Sequence, residues 1–176
     1  MRIPFILIVH LIGACSLVFA QEINIQSNGR LILGTYTERT ASVATGDVDN
    51  DGDIDIILAN GRHWPGQNRI FINNGRGVFT VERDLGDDRS TSYAAELADF
   101  DQDGDLDIAV GNDMAPNYIF LNNGEGHFQK GPTFGKAYAS TRNLTVADID
   151  KDGDIDILIT NRGMVNEICF NDGKGN

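Results

Sequence analysis

The chain is poor in positive charge: 14 Lys and Arg stand against 26 Asp and Glu in 176 residues. A surface so short of cations cannot neutralise a phosphate backbone, which excludes nucleic-acid binding as a function class. Cysteine is scarce as well, with Cys15 and Cys169 alone, and two thiols cannot staple a miniprotein. Beyond residue 20 there is no helical apolar period and no apolar run long enough to span a membrane. No Ser/His/Asp or Cys/His pairing, phosphate-cradling glycine loop or His-rich metal cluster stands out, so the chain is read as a non-enzyme. What remains, 41% hydrophobic and 23% charged residues, is the composition of a folded domain. The negative charge therefore calls for a local explanation.

The N-terminus reads as an address. Arg2 precedes an apolar stretch from Ile3 to Ala20, and Val18-Phe19-Ala20 places small residues three and one before a break at Gln21. This is the pattern of a signal peptide, residues 1–20, cleaved after Ala20. An uncleaved anchor is the competing reading, and the run is slightly short for it. Ile12-Gly13-Ala14-Cys15 is similar to a bacterial lipoprotein box, but the apolar Leu17-Val18-Phe19 that would follow a lipidated cysteine argues against it. The expectation is a mature chain, 21–176, that is secreted, periplasmic or on the cell surface, where calcium is plentiful and no membrane span remains.

Self-comparison explains the charge. The segment Asp47-Val48-Asp49-Asn50-Asp51-Gly52-Asp53-Ile54-Asp55 recurs from Asp99 to Asp107 and again from Asp148 to Asp156. These three nonapeptides hold 15 of the 26 acidic residues with a single lysine, Lys151, so the rest of the chain is close to neutral. A second element, Asn68-Arg69-Ile70-Phe71-Ile72-Asn73-Asn74-Gly75, returns from Asn117 and from Asn166. Each unit reads as β. Ile54–Ala59 is a strand-length, β-branched run, Arg69–Ile72 is another, Asn74-Gly75 signals a tight hairpin before Val78–Val81, and Ser92–Leu97 leads into the next acidic segment. About four short strands per ~50-residue repeat is the unit of a β-propeller blade. The fold class expected is all-β, a partial β-propeller of about three four-stranded blades. The earlier repeats continue past the point where Gly175-Asn176 stops. A longer parent protein, or self-association that completes the ring, is the corresponding expectation.

Aspartate at every odd position of a nonapeptide is strongly self-repelling, and a hard cation is the natural counter-charge. Oxygen ligands at positions 1, 3 and 5, a glycine at 6, a carbonyl at 7 and a further carboxylate describe a calcium loop. The side-chain ligands expected are Asp47, Asp49, Asp51 and Asp55; Asp99, Asp101, Asp103 and Asp107; and Asp148, Asp150, Asp152 and Asp156. Asp53, Asp105 and Asp154 would offer backbone carbonyls while their side chains stay in solvent, and Ile54, Leu106 and Ile155 would point into the core. An EF-hand is excluded, because position 12 holds Leu58, Val110 or Ile159 in place of glutamate. Magnesium, which prefers to keep its waters, suits such a protein-rich shell poorly. One copy would pass as a solvated acidic turn; three copies in register point to three Ca²⁺ sites.

The combination of Asp-x-Asp-x-Asp-Gly-x-x-Asp, an apolar strand and an Asn-x-x-Phe-x-Asn-Asn-Gly-x-Gly-x-Phe segment resembles the FG-GAP/VCBS repeats of integrin α-chain-like propellers and many secreted bacterial proteins. The resemblance spans residues 41–176. It implies a blade with the ion held in a loop between strands, and it leaves the ligand open, since such repeats serve adhesion proteins, lectin-like modules and non-catalytic parts of enzymes.

Specificity is expected where the repeats differ. The first repeat carries three extra residues in the segment containing Arg62, His63 and Trp64, a candidate contact for an extracellular protein or glycan. The equivalents Asp113-Met114-Ala115-Pro116 and Arg162-Gly163-Met164-Val165 share no chemistry with it. Cys169 aligns with Phe71 and Phe120 and reads as a small apolar residue, and Asn143-Leu144-Thr145 is a glycosylation sequon. The function expected is adhesion or ligand recognition with structural calcium. The alternative is an accessory or substrate-binding part of a carbohydrate-active enzyme such as a polysaccharide lyase.

Overall fold

The computed structural model describes residues 32–173; the signal-peptide and lipoprotein readings of residues 1–20 lie outside them. Eleven strands run in chain order with no helix among the described residues: β1 (Thr40–Gly46), β2 (Asp55–Asn60), β3 (Arg69–Asn73), β4 (Phe79–Asp84), β5 (Ser92–Ala98), β6 (Asp107–Asn112), β7 (Asn117–Leu121), β8 (Gln129–Phe134), β9 (Thr141–Ala147), β10 (Asp156–Asn161) and β11 (Glu167–Cys169). They form three antiparallel meanders, β1-β2-β3-β4, β5-β6-β7-β8 and β9-β10-β11. Each repeat thus folds into one propeller-like blade, four-stranded in the first two and three-stranded over the described part of the third.

Register repeats with the sequence. Gly46 pairs with Asp55, Ala98 with Asp107 and Ala147 with Asp156, so every acidic segment is the connection from the first strand of a blade to its second. The hairpin between third and fourth strands is longer than a two-residue Asn-Gly turn: residues 74–78 separate β3 from β4, with Gly75 and Gly77 both at positive φ. Asn73 Oδ1 accepts the Gly77 amide and Asn74 Oδ1 the Arg76 amide, and these side-chain bonds join the backbone bond from the Asn74 amide to the Val78 carbonyl in holding the turn. At the far end of each blade an asparagine pair brackets the connection from second to third strand. The Asn60 amide donates to Asn68 Oδ1 at 2.8 Å, Asn112 to Asn117 at 2.8 Å and Asn161 to Asn166 at 3.0 Å, while the Asn60, Asn112 and Asn161 side chains donate to the carbonyls of Gln67, Pro116 and Val165. The recurrence of Asn68, Asn117 and Asn166 in the sequence is accounted for by this bracket.

The core lies between blades rather than within one. Ile57, Ile70 and Ile72 of the first blade pack with Ala95, Ile108 and Phe120 of the second, and the other face of the second blade, through Phe100, Ile119 and Phe134, meets Leu144, Ile157 and Ile159 of the third. Alternation along each strand sends successive side chains to opposite neighbours, which is why β6, Asp107–Asn112, is buried at every position. At ~25 cal/mol per Å² of apolar surface, this stacking is the main stabilising term. The expected core role of position 8 in the acidic segment holds in two of three repeats. Leu106 and Ile155 pack against these inter-blade clusters, whereas Ile54 is 54% exposed. Position 8 docks on the preceding blade, and no described residues form a blade before the first.

Candidate functional site

Each acidic segment folds around its first and last aspartates. Asp47 accepts the amides of Asp51 at 3.1 Å and Gly52 at 2.9 Å; Asp99 does the same with Asp103 and Gly104, and Asp148 with Lys151 and Gly153. The turn demands left-handed backbone at position 4, met by Asn50, Gln102 and Lys151, and at position 6, met by glycine at φ 91–100°. The last aspartate is fully buried and clamps the loop to its blade. Asp55 accepts the amides of Val48 at 3.0 Å and Asn73 at 2.8 Å, Asp107 those of Phe100 and Asn122, and Asp156 those of Ile149 and Asn171.

These constraints bring three carboxylates together in every loop: Asp47, Asp49 and Asp55; Asp99, Asp101 and Asp107; Asp148, Asp150 and Asp156. In each trio one ligand atom per residue lies within 4.8 Å of the others. The electrostatic strain is visible in the acidities. Burial pushes Asp107 up to about 6, with the neighbouring Asp101 and Asp103 carboxylates adding to the shift and the two backbone amides opposing it. Asp49 and Asp101 are raised by the same causes, burial first and then their loop neighbours. Asp49 Oδ1 is moreover a buried oxygen with no hydrogen-bond partner among the described residues. Three converging carboxylates, one with an orphaned oxygen, fit a hard divalent cation as the missing partner.

Not every expected ligand joins its trio. Asp51, Asp103 and Asp152, at position 5, each accept the amide of position 7 at 2.9 Å and stand outside the triads. The side chains of Asp105 and Asp154 do not stay in solvent as the sequence reading had them. Asn50 Nδ2 donates to Asp105 Oδ1 at 2.7 Å, and the Gln102 amide donates to Asp154. Position 4 of one loop therefore grips position 7 of the next. Asp53, Asp105 and Asp154 also lie against Gly75, Gly124 and Gly173, where any Cβ would come within 2.5–2.8 Å of a carboxylate oxygen. Sequence reasoning missed a further group, Asn122 and Asn171, whose side chains donate to the carbonyls of Val48 and Phe100 in the preceding blade at 2.8 and 2.7 Å. Their signal was present as the second Asn of the recurring Asn-x-x-x-x-Asn element.

Arg62, His63 and Trp64 lie at the opposite end of the blades. Trp64 is 64% exposed rather than folded over its own blade, with Arg39 5.8 Å from its ring centroid. His63 holds a backbone φ of 70° and its Nδ1 sits 2.9 Å from the Tyr93 hydroxyl of the next blade. Arg142, from the third blade, covers the Tyr93 ring at 4.0 Å and pairs with Asp113. The three blades thus share a rim of aromatic and guanidinium groups, of which the sequence showed the first repeat's portion. Cys169 is half-buried against the cluster between the second and third blades, and burial raises its thiol above the ordinary range.

The architecture and the loops define the class: a propeller-like repeat protein with an acidic, cation-competent loop in each blade. The sequence model described as FG-GAP-like repeat matches residues 47–110 and 99–159, more than half of the chain. The chain belongs to the FG-GAP-like repeat family. No curated protein matches the chain. Among the described residues no helix is long and apolar enough to cross a membrane.

Proposed function

We propose that the chain is a secreted or cell-surface calcium-binding propeller module that serves adhesion or ligand recognition, with calcium in a structural role. The observation that carries this reading is the threefold convergence of Asp carboxylates at positions 1, 3 and 9 on blades whose packed faces are apolar. Asp47, Asp49 and Asp55 and their two counterpart sets would hold the ion, which offsets the mutual repulsion of the trio and ties the loop to the buried end of the second strand. The family's repeats are expected in extracellular settings.

Recognition falls to the opposite rim. There an exposed Trp64, His63 and Arg62 stand beside Tyr93 and Arg142, a set able to stack on a sugar ring or anchor in a protein groove. The test is binding of residues 21–176 to arrays of glycans and extracellular proteins, with Trp64→Ala in parallel. A ligand bound by the native chain and lost in the variant supports the reading. No ligand in either would make the chain a spacer, and turnover of a polysaccharide would make it part of a carbohydrate-active enzyme.

A further inference from the structure

The buried aspartates that end the three acidic loops are joined by one continuous run of hydrogen bonds through the two blade-to-blade junctions. Asp55 Oδ2 accepts the Val48 amide at 3.0 Å, and the Val48 carbonyl accepts the Asn122 side chain at 2.8 Å. The Asn122 amide in turn donates to Asp107 Oδ1 at 2.8 Å. The pattern repeats one blade further on. Asp107 Oδ2 accepts the Phe100 amide at 3.0 Å, the Phe100 carbonyl accepts the Asn171 side chain at 2.7 Å, and the Asn171 amide donates to Asp156 Oδ1 at 2.9 Å.

The places these bonds occupy matter. Val48 stands between Asp47 and Asp49, two members of the first trio, and Phe100 between Asp99 and Asp101 of the second. Asn122 therefore holds a carboxylate of its own blade's trio with its backbone and, with its side chain, the residue between two carboxylates of the preceding trio. Asn171 does the same for the third trio and the second. Val48, Phe100, Asp55, Asp107 and Asp156 are all fully buried, so water does not compete for the bonds among them. The other link between neighbouring loops, from Asn50 to Asp105 and from Gln102 to Asp154, lies at the surface, and neither of its ends belongs to a trio.

We propose that Asn122 and Asn171 are positioning residues that couple the three acidic loops, so that a divalent cation held in one loop raises the affinity of the next. The proposal rests on the metal reading given above. In the metal-free loop the mutual repulsion of the carboxylates works against their gathering. When Asp99, Asp101 and Asp107 are drawn together around an ion, Asp107 fixes Asn122 through its amide, and Asn122 fixes Val48 between Asp47 and Asp49. The first loop is then arranged before its own ion arrives, which is positive cooperativity. By reciprocity the first loop favours the second by the same factor. Direct repulsion between neighbouring ions has the opposite sign and is screened by salt.

The experiment follows each loop separately by NMR while calcium is titrated into the metal-free protein in about 0.15 M salt. The reporters are the amides of Gly52, Gly104 and Gly153, each of which donates to the first aspartate of its own loop. Asp101→Asn should abolish the response at Gly104 and raise the calcium midpoint at Gly52 and Gly153 by about fivefold or more. With Asn122→Ala in the same chain, and measured against Asn122→Ala alone, the rise at Gly52 should vanish while that at Gly153 persists. Asn171→Ala should do the reverse, so each asparagine variant carries a folded control in the loop it leaves coupled. Midpoints at Gly52 and Gly153 that ignore Asp101→Asn would overturn the coupling and leave three independent sites. A rise at Gly52 that survives Asn122→Ala would overturn the role of the asparagine. No response to calcium at any of the three glycines would overturn the metal reading and this proposal with it.

Discussion

At one end of each blade the connection from first to second strand repeats nearly residue for residue, with the same three carboxylates gathered within 4.8 Å. At the other end the connection from second to third strand keeps its asparagine bracket and changes everything between: Arg62-His63-Trp64 in the first repeat, Met114-Ala115-Pro116 in the second, Gly163-Met164-Val165 in the third. A loop that must satisfy the same buried aspartate and the same neighbouring blade each time has little freedom, whereas a loop fixed through backbone bonds, at its asparagine bracket and to the following linker, leaves its side chains free to vary. The comparison divides the molecule into an acidic rim whose loops link one blade to the next and a variable rim where the proposed recognition would lie.

The largest effect of a single substitution is expected at the buried end of an acidic loop. Asp107→Ala leaves the Phe100 and Asn122 amides without their acceptor and removes one corner of a trio, which should destabilise the calcium-loaded protein by about 3 kcal/mol in chemical denaturation. Asp103→Ala, in the same loop but outside the trio, should cost under about 1 kcal/mol. Equal losses would show that position 9 is not the anchor.

A test next in size uses pH. The folded Asp107 holds its proton up to about 6, against an ordinary value of 3.8, so between those values the folded state binds the proton more tightly than the unfolded one. Stability of the metal-free protein should therefore fall as pH rises from about 4 to about 6, and level off above. With calcium present the slope reverses, because acid protonates the ligands and releases the ion. Melting curves at several pH values, with and without calcium, should cross; parallel curves would contradict the shared site.

Asn122→Ala, which removes the link from the second blade to the Val48 carbonyl as well as an internal one to Leu106, should cost about 1–2 kcal/mol. Asn73→Ala, its counterpart on the first blade, loses a bond to its own Ile54 carbonyl and one from the Gly77 amide of its own hairpin but none to another blade, and should cost less. At the variable rim Trp64→Ala should change stability by under about 0.5 kcal/mol, since the ring is exposed. A larger loss there would mean that Trp64 supports the fold and that the division between rims is drawn in the wrong place.

Most of the strand layout was legible because the repeats annotate one another: Ile54–Ala59 became β2 (Asp55–Asn60), Ser92–Leu97 became β5 (Ser92–Ala98), and the acidic segment fell between strands as expected. The misses share one physical origin. A repeat shows what is common within a blade and not which atoms of one blade meet the next, so the Asn50–Asp105 and Asn122–Val48 links, 55 and 74 residues apart, were hidden. The same blind spot placed Ile54 in a core that only a preceding blade could supply, left the Asp105 and Asp154 carboxylates in solvent, and concealed Tyr93 and Arg142 beside His63. The bond from the position 7 amide to Asp51 Oδ1 likewise belongs to the folded turn and had no signal in the sequence.

The central claim is that the three acidic loops are calcium sites that stabilise the stacked blades. Calorimetric titration of calcium into chelator-treated protein, paired with a melting curve at each end of the titration, tests it most directly. With free calcium at ten times the dissociation constant each site contributes about 1.4 kcal/mol and three contribute about 4 kcal/mol, a shift on the order of 10 °C. The account predicts three ions bound per chain and a melting temperature raised by that amount. An absence of binding heat together with an unchanged melting temperature would contradict it.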